Sequence, residues 1–422
     1  MHAIEKILAR TAGEKRVTPG QIVNCRVDLA GINDLYLQTV RSFEEMGGVR
    51  VAHPEQVVVF FDHYAPASTI TQAENHKHFR AFCRDQGIKK RMEVNCGVCH
   101  QVLADLGLSR PGKLMVVTDS HTTTHGAFGA FGTGVGATDM GVILCTGSLW
   151  FRVPEVLRIN LEGDLRPGVF AKDVILYVIG ELGADHAVYQ AVEFAGPLIK
   201  NLSVSERMVL CNMTTEMGAK TSYIQPDDVT FDYLREKGIE QFETVFTDPG
   251  FSYAGEHPFD VTALCPQVAA PHSVDNVFPL EEYRGTKIHQ AYLGTCTGGR
   301  FEDIAIAARI LSGRKVNPDV RFLVVPASKD VLLEAMAKGH IQTLVQAGAT
   351  LVNPGCAACL GTHQGMLTAD EVCITSANRN FPGRMGDTGA KIFLASPASV
   401  AAAAVTGEIT DPSPFFHERR SL

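Results

Sequence analysis

A chain of 422 residues is too long for one compact core and long enough for two or three domains, and 45% apolar with 20% charged residues is an ordinary globular composition. A net charge of -8 argues against nonspecific nucleic-acid binding, and eleven cysteines, an odd number in a long chain, argue against a disulfide framework. The apolar run over residues 400–405 is far too short to span a bilayer.

At the start of the chain, Ile4, Ile7 and Leu8 recur at helical spacing, and Glu5 and Glu14 argue against an acid-poor transit peptide. A reducing cytoplasm is expected, where thiols stay free. Residues 57–61 read as a buried strand that ends at Asp62-His63-Tyr64, and residues 74–86 as an amphipathic helix stopped by Gly87. Residues 114–117 are a second strand, ending at Thr118-Asp119-Ser120-His121. Residues 223–258 are acidic, aromatic and less periodic, and read as a connecting or capping segment. Residues 321–325 form a third strand closed by Pro326, followed by a helix over 329–338 that Gly339 ends. Strand–helix alternation predicts α/β layers with mostly parallel sheets, which place their sites just after strand ends. Domains are expected near 1–154, 155–285 and 286–422.

Three thiols stand out. Cys296 lies in Gly294-Thr295-Cys296-Thr297-Gly298-Gly299-Arg300, and Cys356 and Cys359 form a C-x-x-C after the Pro354-Gly355 turn. Alone, a C-x-x-C is redox-active, zinc-binding or simply buried. Beside a Gly-rich loop, whose amides approach sulfurs closely, a metal role gains weight. A closed zinc or iron–sulfur site takes four protein ligands, so three thiolates on a four-iron cluster leave one iron open to a substrate hydroxyl.

Asp62-His63 and Asp119-Ser120-His121 set a carboxylate beside an imidazole at a strand end, which fixes the tautomer and raises basicity. For either pair alone the bland reading is a satisfied core histidine; both together, with His100, point to proton transfer. In Asn378-Arg379-Asn380-Phe381-Pro382-Gly383-Arg384, two guanidiniums bracket a turn, as a solvated basic loop or as a carboxylate clamp.

Two motifs are set aside. Cys96-Gly97-Val98-Cys99-His100 has the form of haem attachment, which needs export; two buried thiols beside a functional or structural histidine are expected instead. Gly132-Thr133-Gly134-Val135-Gly136-Ala137 partly matches a dinucleotide fingerprint, but glycines continue from Gly126 through Gly129, and close helix packing accounts for them better.

Together these motifs resemble the aconitase superfamily, and in particular large subunits of the 3-isopropylmalate dehydratase type. The resemblance rests on Asp119-Ser120-His121-Thr122 followed by Gly126-Ala127-Phe128-Gly129-Ala130, on the Cys296 loop and the Pro354-Gly355-Cys356 turn with Cys359, and on Asn378-Arg379-Asn380-Phe381 with Gly383-Arg384. It runs through most of the chain in family order. It implies three α/β/α layered domains around a central cleft, with one [4Fe-4S] cluster held by Cys296, Cys356 and Cys359. It implies that Asp62, His63, His100, Asp119 and His121 surround the open iron, and that Glu216 is a further active-site acid. By the same resemblance Ser120 and Asn212 lie near the substrate, Asn378 touches cluster or substrate, and Arg379 and Arg384 hold a substrate carboxylate.

The implied activity is removal and re-addition of water on a hydroxy-dicarboxylate. 3-Isopropylmalate leads; homoaconitate, 2,3-dimethylmalate, and maleate or citraconate hydration are the alternatives. The chain departs from the family in two ways. Gly298 stands where members usually carry Asn, which removes a hydrogen bond near the cluster. No Gly-Ser-Ser-Arg-Glu-like stretch occurs; in single-chain aconitases it lies in a mobile fourth domain and supplies a serine base. That base is therefore expected from a separate small subunit. An iron-sensing RNA-binding role, found among relatives, is disfavoured by the acidic charge.

Overall fold

Short runs of apolar, mostly β-branched residues make the central strands, Val57–Phe60 and Leu114–Val117 of one sheet among them, which are buried on both faces as the strands of covered parallel sheets are. The computed structural model describes residues 1–361 and 364–417. The chain divides into two units: residues 1–94, 99–161 and 187–258, and residues 95–98, 162–186 and 259 onward.

The first unit carries β1 (Ile22–Arg26), β2 (Leu29–Ile32), β3 (Val57–Phe60), β4 (Lys90–Met92), β5 (Leu114–Val117), β6 (Phe131–Gly134) and β7 (Ser148–Arg152). β2 to β6 form one parallel sheet in the order β4-β3-β2-β5-β6. Every residue of β3 and β5 is buried, as continuous apolar runs require. The chain moves outward from β2 through β3 to β4, then returns to the far side of β2 for β5. The direction of winding therefore reverses between β2 and β5, and the crevice outside their carboxyl ends is where such sheets bind ligands. β1 and β7 form an antiparallel ribbon, and β8 (Val156–Glu162), β9 (Ala191–Ala195), β10 (Thr221–Ile224) and β11 (Gly255–Asp260) a four-stranded sheet.

The helix expected at 74–86 runs over Ile70–Asp85. Its first turn carries exposed Ile70 rather than an apolar stripe, so periodicity missed it; the capping box of Thr69 and Gln72 sets the true start. Residues 223–258 also differ from expectation. They contain the end of β10, a helix over Asp228–Glu236 and most of β11. Asp227 caps that helix and pairs with fully buried Arg207, at 2.6 and 2.7 Å.

The second unit holds a seven-stranded sheet made of β12 (Gln267–Ala269), β13 (Val277–Pro279), β14 (Gln290–Gly294), β15 (Arg321–Val325), β16 (Thr350–Leu351), β17 (Val372–Thr375) and β18 (Lys391–Ala395). Their order is β13-β12-β18-β17-β14-β15-β16; β14 to β18 are parallel, and β12 runs against β13 and β18. Helices Phe301–Leu311 and Pro397–Thr406 contribute to its core. Residues 400–404, the alanine-rich run, are fully buried in the latter helix. Among the described residues, no helix is long and apolar enough to cross a membrane.

Candidate active site

Three neighbouring strands of the first unit release polar residues at the same edge of one sheet. Asp34 follows β2, Asp62 and His63 follow β3, and Asp119, Ser120 and His121 follow β5. Asp62 and His63 are buried. His63 Nδ1 lies 2.8 Å from Asp62 Oδ1, and the other Asp62 oxygen accepts from the Cys99 amide at 2.9 Å. His63 Nε2 faces Asp119 Oδ2 at 3.5 Å.

Asp119 is the hub. Its Oδ1 lies 2.9 Å from His100 Nε2 and accepts the His121 amide at 2.8 Å. Burial works to raise the Asp119 carboxyl, but the charge and hydrogen bond of His100, with hydrogen bonds from His121 and His63, hold it well below the usual carboxylate range. His121 Nε2 in turn meets Glu216 Oε1 at 2.8 Å. Asn212 is fully buried and donates from Nδ2 to Thr124 Oγ1 at 2.8 Å, which ties helix Val204–Met213 to the turn Ser120–Phe128 that carries His121. The Ser120 carbonyl accepts from Thr215 Oγ1 at 2.9 Å. Glycines 126, 132 and 134 leave no room for a Cβ against the backbones of Ser222, Thr122 and Asp119, so β6 and this turn lie in backbone contact.

Of the set-aside haem motif, Cys99 is buried and Cys96 only partly so. The ligand atoms of Cys99, His100 and Asp119 lie within 4.8 Å of one another. Burial, then Asp62 and Asp119, push the Cys99 thiol well above its ordinary range, away from the thiolate a metal needs.

In the second unit, Cys296 follows β14, Cys356 and Cys359 follow β16, and Asn378 follows β17. All three cysteines and Asn378 are buried. Asn378 Nδ2 donates to Cys296 Sγ at 3.4 Å, and its Oδ1 lies 3.8 Å from Cys359 Sγ, so one amide joins the two cysteine loops. Arg384 Nη2 reaches Cys359 Sγ at 3.7 Å. A hydrogen bond from Cys356, then the Arg384 charge, hold the Cys359 thiol well below its ordinary range against burial. Three buried sulfurs are a soft donor set that fits an iron–sulfur group. Arg379 is partly buried beside Asn378.

The loop around Cys296 is stitched by Ser376. Its Oγ bonds the Gly294 amide and carbonyl, each at 3.0 Å, and the Gly298 carbonyl at 3.2 Å. A Cβ on Gly298 would overlap the Ser376 side chain. Lys172, 1% exposed, donates to the carbonyls of Ser376 and Ala377 at 3.2 and 2.8 Å, just ahead of Asn378.

The chain matches the aconitase family (aconitate hydratase) over residues 5–407. It belongs to that family. It is 48% identical to 3-isopropylmalate dehydratase large subunit 1 of Methanopyrus kandleri, over 97% of this chain and 98% of the other. It is also 48% identical to the probable methanogen homoaconitase large subunit of Methanothermobacter thermautotrophicus, over 98% and 97%. The holo-form aconitase X of Thermococcus kodakaraensis shares the fold, with a TM-score of 0.51 over 89% of each chain at 13% identity.

Sequence reasoning passed over Asp34, His76, His125, Lys172 and Ser376. Asp34 carried a usable signal, an acid directly after a strand. His125, whose Nδ1 lies 2.8 Å from Ser109 Oγ, and Lys172 and Ser376 carried none, because their partners are remote in sequence.

Proposed function

We propose that this chain is the large subunit of a hydro-lyase that removes and re-adds water on a hydroxy-dicarboxylate, with 3-isopropylmalate as the leading substrate. The observation that carries the reading is the His63 imidazole, tied to Asp62 through Nδ1 and turned toward Asp119 through Nε2. A proton held on Nδ1 by Asp62 leaves Nε2 as the working nitrogen, and carboxylates on both sides favour the imidazolium. His63 then delivers the Nε2 proton to the departing hydroxide, which leaves as water; in hydration the same proton returns.

His100 and His121, both anchored on Asp119, position the hydroxyl or water, and Glu216 fixes the tautomer of His121. Ser120 and Asn212 line or support this set. Arg379 and Arg384 bind a substrate carboxylate, where the planar guanidinium matches two oxygens. Cys296, Cys356 and Cys359 would hold a [4Fe-4S] cluster, steadied by Asn378, which when bound supplies a Lewis acid for the hydroxyl leaving group. The base that takes the C–H proton is a serine of a separate small subunit. The setting is a reducing cytoplasm, and the architecture three layered domains near 1–154, 155–285 and 286–422.

Homoaconitate is the second reading, because the relative of that name matches this chain at the same 48% identity as the isopropylmalate relative. The test is co-expression with candidate small subunits, anaerobic iron reconstitution and a screen of hydroxy-dicarboxylates by the absorbance of the unsaturated acid. Turnover of 3-isopropylmalate, with about four iron and four sulfide per chain that Cys296→Ser abolishes, is expected. A chain that binds no iron, or turns over none of these acids with any small subunit, would sink the proposal.

A further inference from the structure

The sheet edge that carries Asp62 and Asp119 carries a third carboxylate, Asp34, directly after β2. Its side chain is wholly buried. Oδ1 accepts the His63 amide at 3.0 Å and Oδ2 accepts the Tyr64 amide at 2.9 Å. These two amides belong to residues beyond the end of β3, where no strand partner orders the backbone, so one carboxylate clasps two successive peptides. Oδ1 also stands 3.6 Å from His63 Nδ1. On its outer side Oδ2 lies 3.1 Å from Nε2 of His76, itself buried on helix Ile70–Asp85 and packed edge-on to Phe61.

We infer that Asp34 is a positioning residue for His63, and that His76 is its partner in a buried relay from helix Ile70–Asp85 to the working imidazole. The inference rests on the hydro-lyase reading for its consequence in catalysis, but not for its geometry.

Asp62 holds only the ring. The direction in which the ring leaves the chain depends on the peptides at His63 and Tyr64, and Asp34 fixes both. A carboxylate suits the task because each oxygen accepts; an amide would set its NH₂ against one of the two N–H groups. A buried carboxylate also needs a compensating donor, and His76 supplies it at 3.1 Å. Burial alone would raise the Asp34 carboxyl, yet the hydrogen bonds from His63 and His76 and the charge of His63 hold it well below its ordinary range.

Two variants, Asp34→Asn and His76→Gln, test the inference with two readouts. In the isolated chain labelled with ¹⁵N-histidine, the His63 Nδ1–H resonance, identified by its loss in His63→Gln, is expected to shift and exchange faster in Asp34→Asn, and to move the same way by less in His76→Gln. In the reconstituted complex, Asp34→Asn is expected to lower kcat about 10–100-fold with KM and iron content unchanged, the scale seen for residues that orient a functional histidine. A His63 resonance unmoved in both variants overturns the inference whatever happens to kcat, since a loss of activity would then be structural. If Asp34→Asn does not fold, His76→Gln decides by the same resonance. If the wild type turns over no acid, the hydro-lyase reading falls, and the resonance still decides whether Asp34 governs His63.

Discussion

His121 Nε2 and Glu216 Oε1 stand 2.8 Å apart although 95 residues separate them in sequence. Helix Val204–Met213 closes that gap: Asn212 at its end bonds Thr124, and Thr215 in the turn beyond bonds the Ser120 carbonyl, so both backbones are pinned before the side chains meet. Glu216→Gln keeps the shape and removes the charge. It is expected to lower kcat about 10–100-fold and stability by about 1.5–3 kcal/mol, the range for a hydrogen bond to a charged group. Steady-state kinetics of the complex and urea melts of the chain check the two effects; wild-type values in both would place Glu216 outside the site.

Acid should unfold this chain through the buried Asp34 and the partly exposed Asp119. Asp34 and Asp119 are both held below their unfolded range. A depressed carboxyl binds its proton more readily in the unfolded chain, so its stabilisation is complete above the unfolded value of about 3.9 and is lost as pH falls below it. Each unit of depression corresponds to about 1.4 kcal/mol. Asp119→Asn should therefore be less stable at neutral pH and show a flatter loss below about pH 4. Urea midpoints across that range measure the slope; an unchanged slope would mean that Asp119 titrates alike in both states.

Lys172 should act at a distance on the thiols. Its ammonium is buried against the carbonyls of Ser376 and Ala377, which precede Asn378. Lys172→Met takes the donor from the Ala377 carbonyl, at about 1–3 kcal/mol for a buried group left unsatisfied, whereas the Ser376 carbonyl keeps the Thr297 hydroxyl at 2.8 Å. Reduced iron uptake on reconstitution is expected as Asn378 loses its footing. Full iron content with wild-type melting would confine Lys172 to packing.

Gly298 and Ser376 should be energetically coupled. Gly298→Asn would drive a side chain into Ser376, an overpacking that costs about 1–3 kcal/mol. Ser376→Gly removes the obstacle but also its hydrogen bonds to Gly294 and Gly298. A double-mutant cycle is expected to give a coupling of about 0.5–3 kcal/mol, with the pair better tolerated than the two single effects sum to. Strict additivity would remove steric exclusion as the reason for glycine at this position.

The sequence by itself determined the parts whose cause is local. β5 and β15 were legible to the residue, because an apolar run bounded by turn residues is a strand wherever it is buried on both faces. The family was legible in short motifs, since loops that carry thiols, imidazoles and guanidiniums keep their residues contiguous. Tertiary structure decided the rest. Helix Ile70–Asp85 begins at a polar cap that leaves no apolar period, and residues 223–258 are partly ordered by a long-range ion pair between Asp227 and Arg207. Asp34 meets His63, and His76 meets Asp34, only because β2 lies beside β3 and helix Ile70–Asp85 packs over Phe61. The physical reason is common to these cases: strand order and helix packing bring distant residues to one point, and no local pattern records which side chains will share it.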